Sequence, residues 1–376
     1  MSGPIYLDYN ATAKVRPEAV EAMARTLTSV GNPSSIHAAG RAARGTVEAA
    51  RADVAALVGA VAGAVTFVSG GTEGNALGIE SAIADGVERL IVGATEHEAV
   101  CETAAASGLP VEIWPVDADG VADLGWLERA LADGPRALVC LMLANNETGV
   151  IQQVAEAAAM VRGAGGWLHV DAVQAAGKIP VDFGALDADT LVMAAHKLGG
   201  PQGIGALVAS SRITLTRQLH GGGQERGRRS GTENVPAIAG FGAAARAALA
   251  DLPSLAAQAS WRDALAVRVE GVGAVVLGVS APRLPQTLCF AAPDFSSDLQ
   301  VMNLDLAGVM ISAGAACSSG KVKPSRIVEA MGRVDLATSA VRVSGGWAST
   351  EEDWKRCGDV WLEAYARLAD RRRRVA

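Results

Sequence analysis

Apolar and polar positions fall in blocks along the chain, and the blocks read alternately as helices and strands. Pro17 to Thr28 has helical spacing, with Pro17 where a first turn tolerates it, and Arg41 to Val58 is a longer alanine-rich helix. Val65 to Ser69 is an apolar strand that runs into the glycine turn and helix of GGTEGNALGIESAIA. Arg89 to Val92 is a second strand, followed by the turn ATEHEAV and another helix. Arg136 to Leu143 is a third strand, ending in ANNETGVIQ, and Val154 to Gly163 is the helix after it. Two further apolar runs, Leu168 to Val170 and Thr190 to Ala195, end in Asp171 and in His196-Lys197. This order predicts an α/β fold with a mostly parallel sheet covered on both faces. A break follows Ala250 at DLPSLAAQ. Beyond it Ala274 to Leu277, Gln286 to Ala291 and Val341 to Ser344 read as strands of a smaller α/β unit, closed by a helix from Glu351 to the end. The expected division is 16–250 for a large domain, and 1–15 with 251–376 for a small one.

Composition narrows the class. The chain has 376 residues, half of them apolar and 19% charged, which suits a globular protein with a large core and not a disordered one. The net charge of −7 implies no broad basic surface, so no direct nucleic-acid contact is expected. The one basic block, Arg371 to Arg374, reads as a solvated helix end. The start, MSGPIYLDYNATA, places a charge and a turn where a signal peptide is apolar, and no run is long enough to span a membrane. Five scattered cysteines make no disulfide framework. A cytoplasmic protein in a reducing compartment is the expectation.

Chemistry concentrates between Trp167 and Gly205. The second apolar run delivers Lys197 at its carboxyl end, beside apolar Ala195 and Leu198 and before the turn LGGPQG. Burial penalises an ammonium and lowers its pKa, as an imine-forming amine requires. From this window alone, a lysine that merely caps the strand and reaches water stands as an equal reading. Ser69-Gly70-Gly71-Thr72, at a strand-to-helix turn, offers N–H groups and a hydroxyl to a phosphate, without Walker spacing. His97 and Asn145-Asn146-Glu147-Thr148 occupy two more turns after strands. In a parallel sheet all of these lie at the carboxyl ends of strands and line one crevice. An acid for a ring nitrogen (Asp171), an amine, a flat group and a phosphate cradle together describe a pyridoxal phosphate site, with Gln174 near enough to serve the ring oxygen.

The segments LDYNATA, GNPSSIH, SGGTEGNAL, EHEAV, NNETGVIQ, HVDAVQAAGK, AHKLGGPQGIGAL and GGGQERGRRSGTEN occur in an order that resembles the cysteine desulfurases. These form a class V branch of the fold-type I pyridoxal phosphate enzymes, and the likeness covers nearly the whole chain. It implies a mostly parallel seven-stranded sheet between helices, plus a smaller C-terminal domain, in the fold of a PLP-dependent transferase. It implies that Lys197 carries the cofactor, that His97 stacks on the ring and helps move protons, and that Asp171 and Gln174 meet the ring nitrogen and oxygen. By the same resemblance Gly71, Thr72 and His196 contact the phosphate, and Asn146 lies between cofactor and substrate. Thr232, in a loop otherwise readable as mobile with solvated arginines, implies contact with the phosphate of a second copy in a homodimer. Arg342 matches the arginine that pairs with the substrate carboxylate.

Three positions depart from the pattern. Ala194 stands where a phosphate-binding serine is usual, which implies one hydrogen bond fewer to the cofactor. Gln202 replaces a common lysine and reads as a surface change. Gly345-Gly346-Trp347 replaces bulkier residues.

Cys317 sits among small residues in ISAGAACSSGKVKPSRIVEAMG, where a thiol is free to reach a substrate. Cys140 and Cys289 fall in apolar strands, and Cys101 and Cys357 in helical patterns. The implied function is removal of sulfur from L-cysteine, leaving L-alanine and a Cys317 persulfide. That sulfur would pass to an acceptor protein such as an iron–sulfur scaffold or a sulfur carrier. The rivals are a selenocysteine lyase, or another class V aminotransferase or lyase. A metal is not expected.

Overall fold

Strands whose side chains are buried on both faces must lie inside a layered structure, and the computed structural model places them there. It describes residues 3–314 and 323–375, with the side chains of 369 and 371–375 set aside. In chain order the first elements are β1 (Ile5–Tyr6), α1 (Pro17–Leu27), α2 (Ala38–Leu57), β2 (Val65–Val68), α3 (Gly71–Ala84), β3 (Arg89–Gly93), α4 (Glu98–Ala106), β4 (Val111–Trp114), α5 (Leu124–Ala132), β5 (Ala137–Met142), α6 (Val154–Gly163), β6 (Trp167–Asp171), α7 (Phe183–Leu186), β7 (Thr190–Ala194) and β8 (Gly205–Ala209). After them come α8 (Val235–Ala250), α9 (Leu252–Glu270), β9 (Val275–Val276), β10 (Thr287–Ala291), α10 (Ser297–Leu306), β11 (Val309–Met310), β12 (Ser312–Ala313), α11 (Arg326–Ala330), β13 (Ala340–Ser344) and α12 (Glu351–Val375).

The large sheet has seven strands in the order β2-β8-β7-β6-β5-β3-β4. β4, β3, β5, β6 and β7 pair in parallel, whereas β8 is antiparallel to both β7 and β2. Two reversals cancel, so β2 points the same way as the parallel group and its glycine turn emerges at the same edge. Alternate residues feed two cores. Ile91, Val139, Leu168, Val170 and Leu191 pack with the α2, α6 and α8 side, and Leu90, Val92, Leu138 and Val192 with the α3 and α4 side. β5 is buried at every position, as a central parallel strand must be, while the edge strand β4 alternates toward solvent.

A second sheet, β12-β13-β10-β9, is wholly antiparallel and has its own core. That core is filled by Phe290, Val341, Val343, Trp354 and Trp361, and Leu7 joins it from the N-terminal segment. β1 pairs in parallel with β11, which ties the chain start to the C-terminal part. Strands were expected at 274–277, 286–291 and 341–344, and β9, β10 and β13 occupy those places. β4, β8 and the α8–α9 pair were not read from the sequence pattern. Among the described residues no single helix is long and apolar enough to cross a membrane.

Candidate active site

The carboxyl edge of the large sheet and β13 of the small sheet enclose one cavity of about 600 Å³. Its lining includes Gly71, Thr72, His97, Asn146, Asp171, Gln174, His196, Lys197 and Arg342, so nine expected site residues meet in one place. Thr232 is exposed and does not line the cavity of its own chain. Cys317 lies outside the described residues. Both flanks of its segment reach the cavity, however, because Gly314 and Lys323 line it.

The strand β7 ends at Ala194, and a single tight turn over Ala195–Lys197 brings Lys197 back over the sheet edge. Its Nζ donates to the carbonyl oxygens of Asn10 at 2.7 Å and Ala11 at 2.9 Å. The amine is therefore held inside the site, which removes the strand-capping reading. Burial, with the like charge of Arg342, brings its pKa down to about 8. Asp171, at the end of β6, is 5% exposed. Its carboxylate accepts from Asn75 Nδ2 at 2.8 Å and from the Val173 N–H at 2.9 Å.

Around the phosphate cradle, the first turn of α3 leaves backbone N–H groups without helical partners, and these face a second cavity lined by Ser69, Gly70, Thr72, Thr12 and His196. Glu73 accepts from the Ser69 N–H at 2.8 Å and from Arg229 Nε at 2.8 Å, which fixes the turn. Gly205 is required beside it, since a Cβ there would lie 2.9 Å from the Gly70 backbone. His196 Nδ1 is 3.3 Å from Thr12 Oγ1, and burial with the nearby lysines lowers its pKa to about 4. Ala194 is buried on the cavity wall and offers no donor there. Gln202 is exposed at the cradle mouth, in keeping with a surface change.

His97 caps α4, its Nδ1 accepting from the Ala99 N–H at 3.0 Å, so in the neutral ring the proton sits on Nε2. Arg342, from β13, pairs with Asp8 at 2.6 Å and donates to the Asn146 carbonyl at 3.0 Å, and its Nε is buried without a partner. The Gly345-Gly346 departure has a packing reason. A Cβ at Gly346 would meet the Tyr9 ring at 1.9 Å, and one at Gly345 would meet Gln258 at 2.4 Å.

Several functional neighbours were missed by sequence reasoning. Asn10 is the hub between the two sheets. Its Nδ2 donates to the Asn146 carbonyl and to Thr287, its N–H to Ser344, and its carbonyl accepts from Gln174 and Lys197. Lys178 is buried and donates to Asn10 Oδ1 at 3.0 Å and Gln174 Oε1 at 2.5 Å, which fixes the Gln174 amide with its NH₂ as donor. Glu96 is wholly buried, its Oε2 has no partner, and burial with the charge of Asp171 raises its pKa to about 8. The loop GGGQERGRRSGTEN keeps Arg226 exposed but is anchored from within. Its Glu225 is buried against Arg51 at 2.6 and 2.8 Å and accepts from the Phe67 N–H. Only Lys178, a scarce lysine within a motif, carried a readable signal, because the others act through contacts distant in sequence.

The described cysteines do not compete for a nucleophilic role. Cys140, Cys289 and Cys357 are fully buried, and burial pushes each thiol up, that of Cys357 to about 12. Cys101 is raised in the same direction. All four are free thiols.

The site fits pyridoxal phosphate on its own terms. A cavity amine of lowered pKa, a carboxylate held by two donors and a glycine-lined helix start are the three groups that cofactor demands. The comparisons agree. The model of the class V aminotransferase family matches residues 5–356. The chain belongs to this family, in its NifS/IscS-like branch of PLP-dependent cysteine desulfurases. A cysteine desulfurase of Cereibacter sphaeroides is 43% identical over 87% of this chain and 86% of its own. The cysteine desulfurase IscS of Dictyoglomus turgidum is 36% identical over 96% and 94%. The solved structure of a NifS-like protein from Rickettsia africae superposes with a TM-score of 0.89 at 30% identity, covering 96% of this chain and 99% of that one.

Proposed function

We propose that this chain takes sulfur from L-cysteine, releases L-alanine and carries the sulfur as a persulfide on Cys317 to an acceptor protein. The observation that carries the reading is the convergence on one cavity of Lys197, Asp171 and Arg342 with both flanks of the Cys317 segment. Cys317 lies three residues from Gly314, a chain reach of at most about 10 Å. Pyridoxal phosphate, when bound, supplies the electron sink that stabilises negative charge at the substrate α-carbon. Gly71, Thr72 and His196 would hold its phosphate, Asp171 the proton on its ring nitrogen, and Gln174 its ring oxygen. Asn146 would stand between cofactor and substrate. Arg342 binds the substrate carboxylate in place of its present partner Asp8. Lys197 Nζ, with its pKa brought down to about 8, takes the α-proton. The Cys317 thiolate attacks the substrate sulfur, so that an S–S bond forms as the C–S bond breaks. His97 carries its proton on Nε2 and serves there as a donor, so the thiol proton passes to the region around the cofactor before the attack.

The same reading covers the protein's setting. The exposed Thr232 completes the phosphate site of a second copy, so a homodimer is the working unit. Free thiols at all four described cysteines support a reducing cytoplasm. The acceptor is an iron–sulfur scaffold or another sulfur carrier, without nucleic acid or membrane. The separate cores of the two sheets support domains at 16–250 and at 1–15 with 251–376.

The test is single-turnover and steady-state production of alanine and sulfide from L-cysteine by wild type and Cys317→Ala, with L-selenocysteine in parallel. Loss of sulfide and of protein-bound persulfide in the variant, with cofactor absorbance intact, is the expected result. Undiminished cysteine turnover removes Cys317 from the mechanism. Turnover of selenocysteine alone moves the assignment to a lyase.

A further inference from the structure

Asp171 is the end of a single file of buried side chains. Asn75 Nδ2 donates to Asp171 Oδ2 at 2.8 Å, His169 Nε2 lies 3.0 Å from Asn75 Oδ1, and His169 Nδ1 lies 2.8 Å from Thr190 Oγ1. Asn75, His169 and Thr190 are each 2% exposed or less. A carboxylate only accepts, so Asn75 must turn its NH₂ toward Asp171 and its carbonyl toward the imidazole. His169 then carries its proton on Nε2, and Nδ1 accepts from the Thr190 hydroxyl. Burial lowers the His169 pKa to about 4, so the ring is neutral, as this assignment requires. Every bond in the file points the same way, and each polarises the next.

The backbone is shaped for this file. His169 and Asp171 are two apart on β6 and so share one face of the sheet, where α3 covers them. Gly74 and Gly78 let that helix come close. A Cβ on Gly74 would lie 2.8 Å from Val192, and one on Gly78 would lie 2.6 Å from His169 Nδ1. Only at this approach does the short Asn75 side chain span from histidine to carboxylate.

Asp171 also has a rival. Glu96 is wholly buried and feels the charge of Asp171. It receives one backbone donor, the Met142 N–H, on Oε1 and nothing on Oε2. The charge of Asp171 is also felt by the Lys197 amine. Two neighbouring buried carboxyls do not both ionise cheaply, and the one with more donors takes the charge.

We infer that Thr190, His169 and Asn75 form a directional relay that positions Asp171 and keeps its carboxylate, rather than that of Glu96, as the anion of the site. The consequence for catalysis rests on the pyridoxal phosphate reading, since Asp171 would hold the ring-nitrogen proton. Thr190, His169 and Asn75 touch neither cofactor nor substrate and are positioning residues.

The experiment compares wild type with His169→Leu, His169→Gln and Thr190→Val, each loaded with pyridoxal phosphate. The visible absorbance is titrated against pH, and kcat and KM are measured for L-cysteine. His169→Leu is expected to move the absorbance midpoint by about one pH unit and to lower kcat roughly tenfold, with KM within about twofold. Thr190→Val, nearly isosteric, gives a smaller shift of the same sign. His169→Gln, which keeps a donor toward Asn75, recovers most of both losses. Wild-type midpoints and kcat in Thr190→Val and in a folded His169→Leu overturn the relay. If His169→Leu does not fold, an unmoved Thr190→Val overturns it alone. Nitrogen-15 NMR of the His169 ring reads the relay without cofactor. Protonation at Nε2 only, from about pH 5 to 8, is expected, and a proton on Nδ1 overturns it. A wild-type protein that takes up no cofactor would instead sink the cofactor reading, and the NMR result then decides the relay by itself.

Discussion

The two sheets of this protein contribute to the site very unequally. In the large sheet β2, β3, β5, β6 and β7 all point one way, so five strand ends deliver Gly71, His97, Asn146, Asp171 and Lys197 to a single edge. The small sheet is antiparallel, its strand ends alternate between two edges, and it lines the cavity with Arg342 from the middle of β13 and Ser312 at the start of β12. The difference shows that a parallel sheet concentrates chemistry at one edge, whereas an antiparallel one supplies single residues and anchors. The small sheet's second contribution is indirect, since β12 and α11 hold the two ends of the Cys317 segment beside the cavity.

The contrast is broken most severely at Lys197. Lys197→Ala should lower alanine production by roughly 10³-fold or more, because on the proposed reading it removes both the cofactor anchor and the base. A loss under about tenfold would mean that the parallel edge does not hold the reacting amine. On the small sheet, Arg342→Lys keeps the charge but loses the planar fork. It should raise KM for L-cysteine roughly tenfold, with kcat changed by only about two- to threefold. An unchanged KM, or a loss confined to kcat, would remove Arg342 from substrate binding.

The smallest effect concerns stability and sharpens the picture of the buried edge. Glu96 has its pKa raised from 4.5 to about 8. Between those values the folded chain keeps a proton that the unfolded chain has lost. Wild-type stability therefore falls as pH rises from about 4.5 to about 8, and this group costs nothing below that window. Glu96→Gln is neutral in both states and does not share the fall. The melting temperature of the variant should gain roughly 3 °C or more on wild type between pH 5 and pH 8.5. A gap that stays constant across that range would show Glu96 to be ionised in the fold.

Hydrophobic patterning was enough for the α/β alternation and for the central parallel strands. Runs such as Ala137–Met142 are buried on both faces, and such runs announce themselves without tertiary information. The edge strand β4, half exposed, gave no comparable signal, and neither did the reversal at β8. Lys197 was visible because a lysine beside apolar residues is costly. Its alternative, a lysine reaching water, was removed only by the carbonyls of Asn10 and Ala11, which are nearly 190 residues away in sequence.

By itself the sequence determined which residues are candidates for the chemistry, because Asp171, His97, Asn146 and Lys197 each sit in a local motif just after an apolar run. The tertiary structure alone decided how those groups are held and charged. Asn10 joins the two sheets, Asn75 and His169 aim a hydrogen bond at Asp171, and Glu225 pins a loop that reads as free. A pKa or an amide orientation follows from the neighbours that folding brings within about 3 Å, and those neighbours leave no periodic trace along the chain.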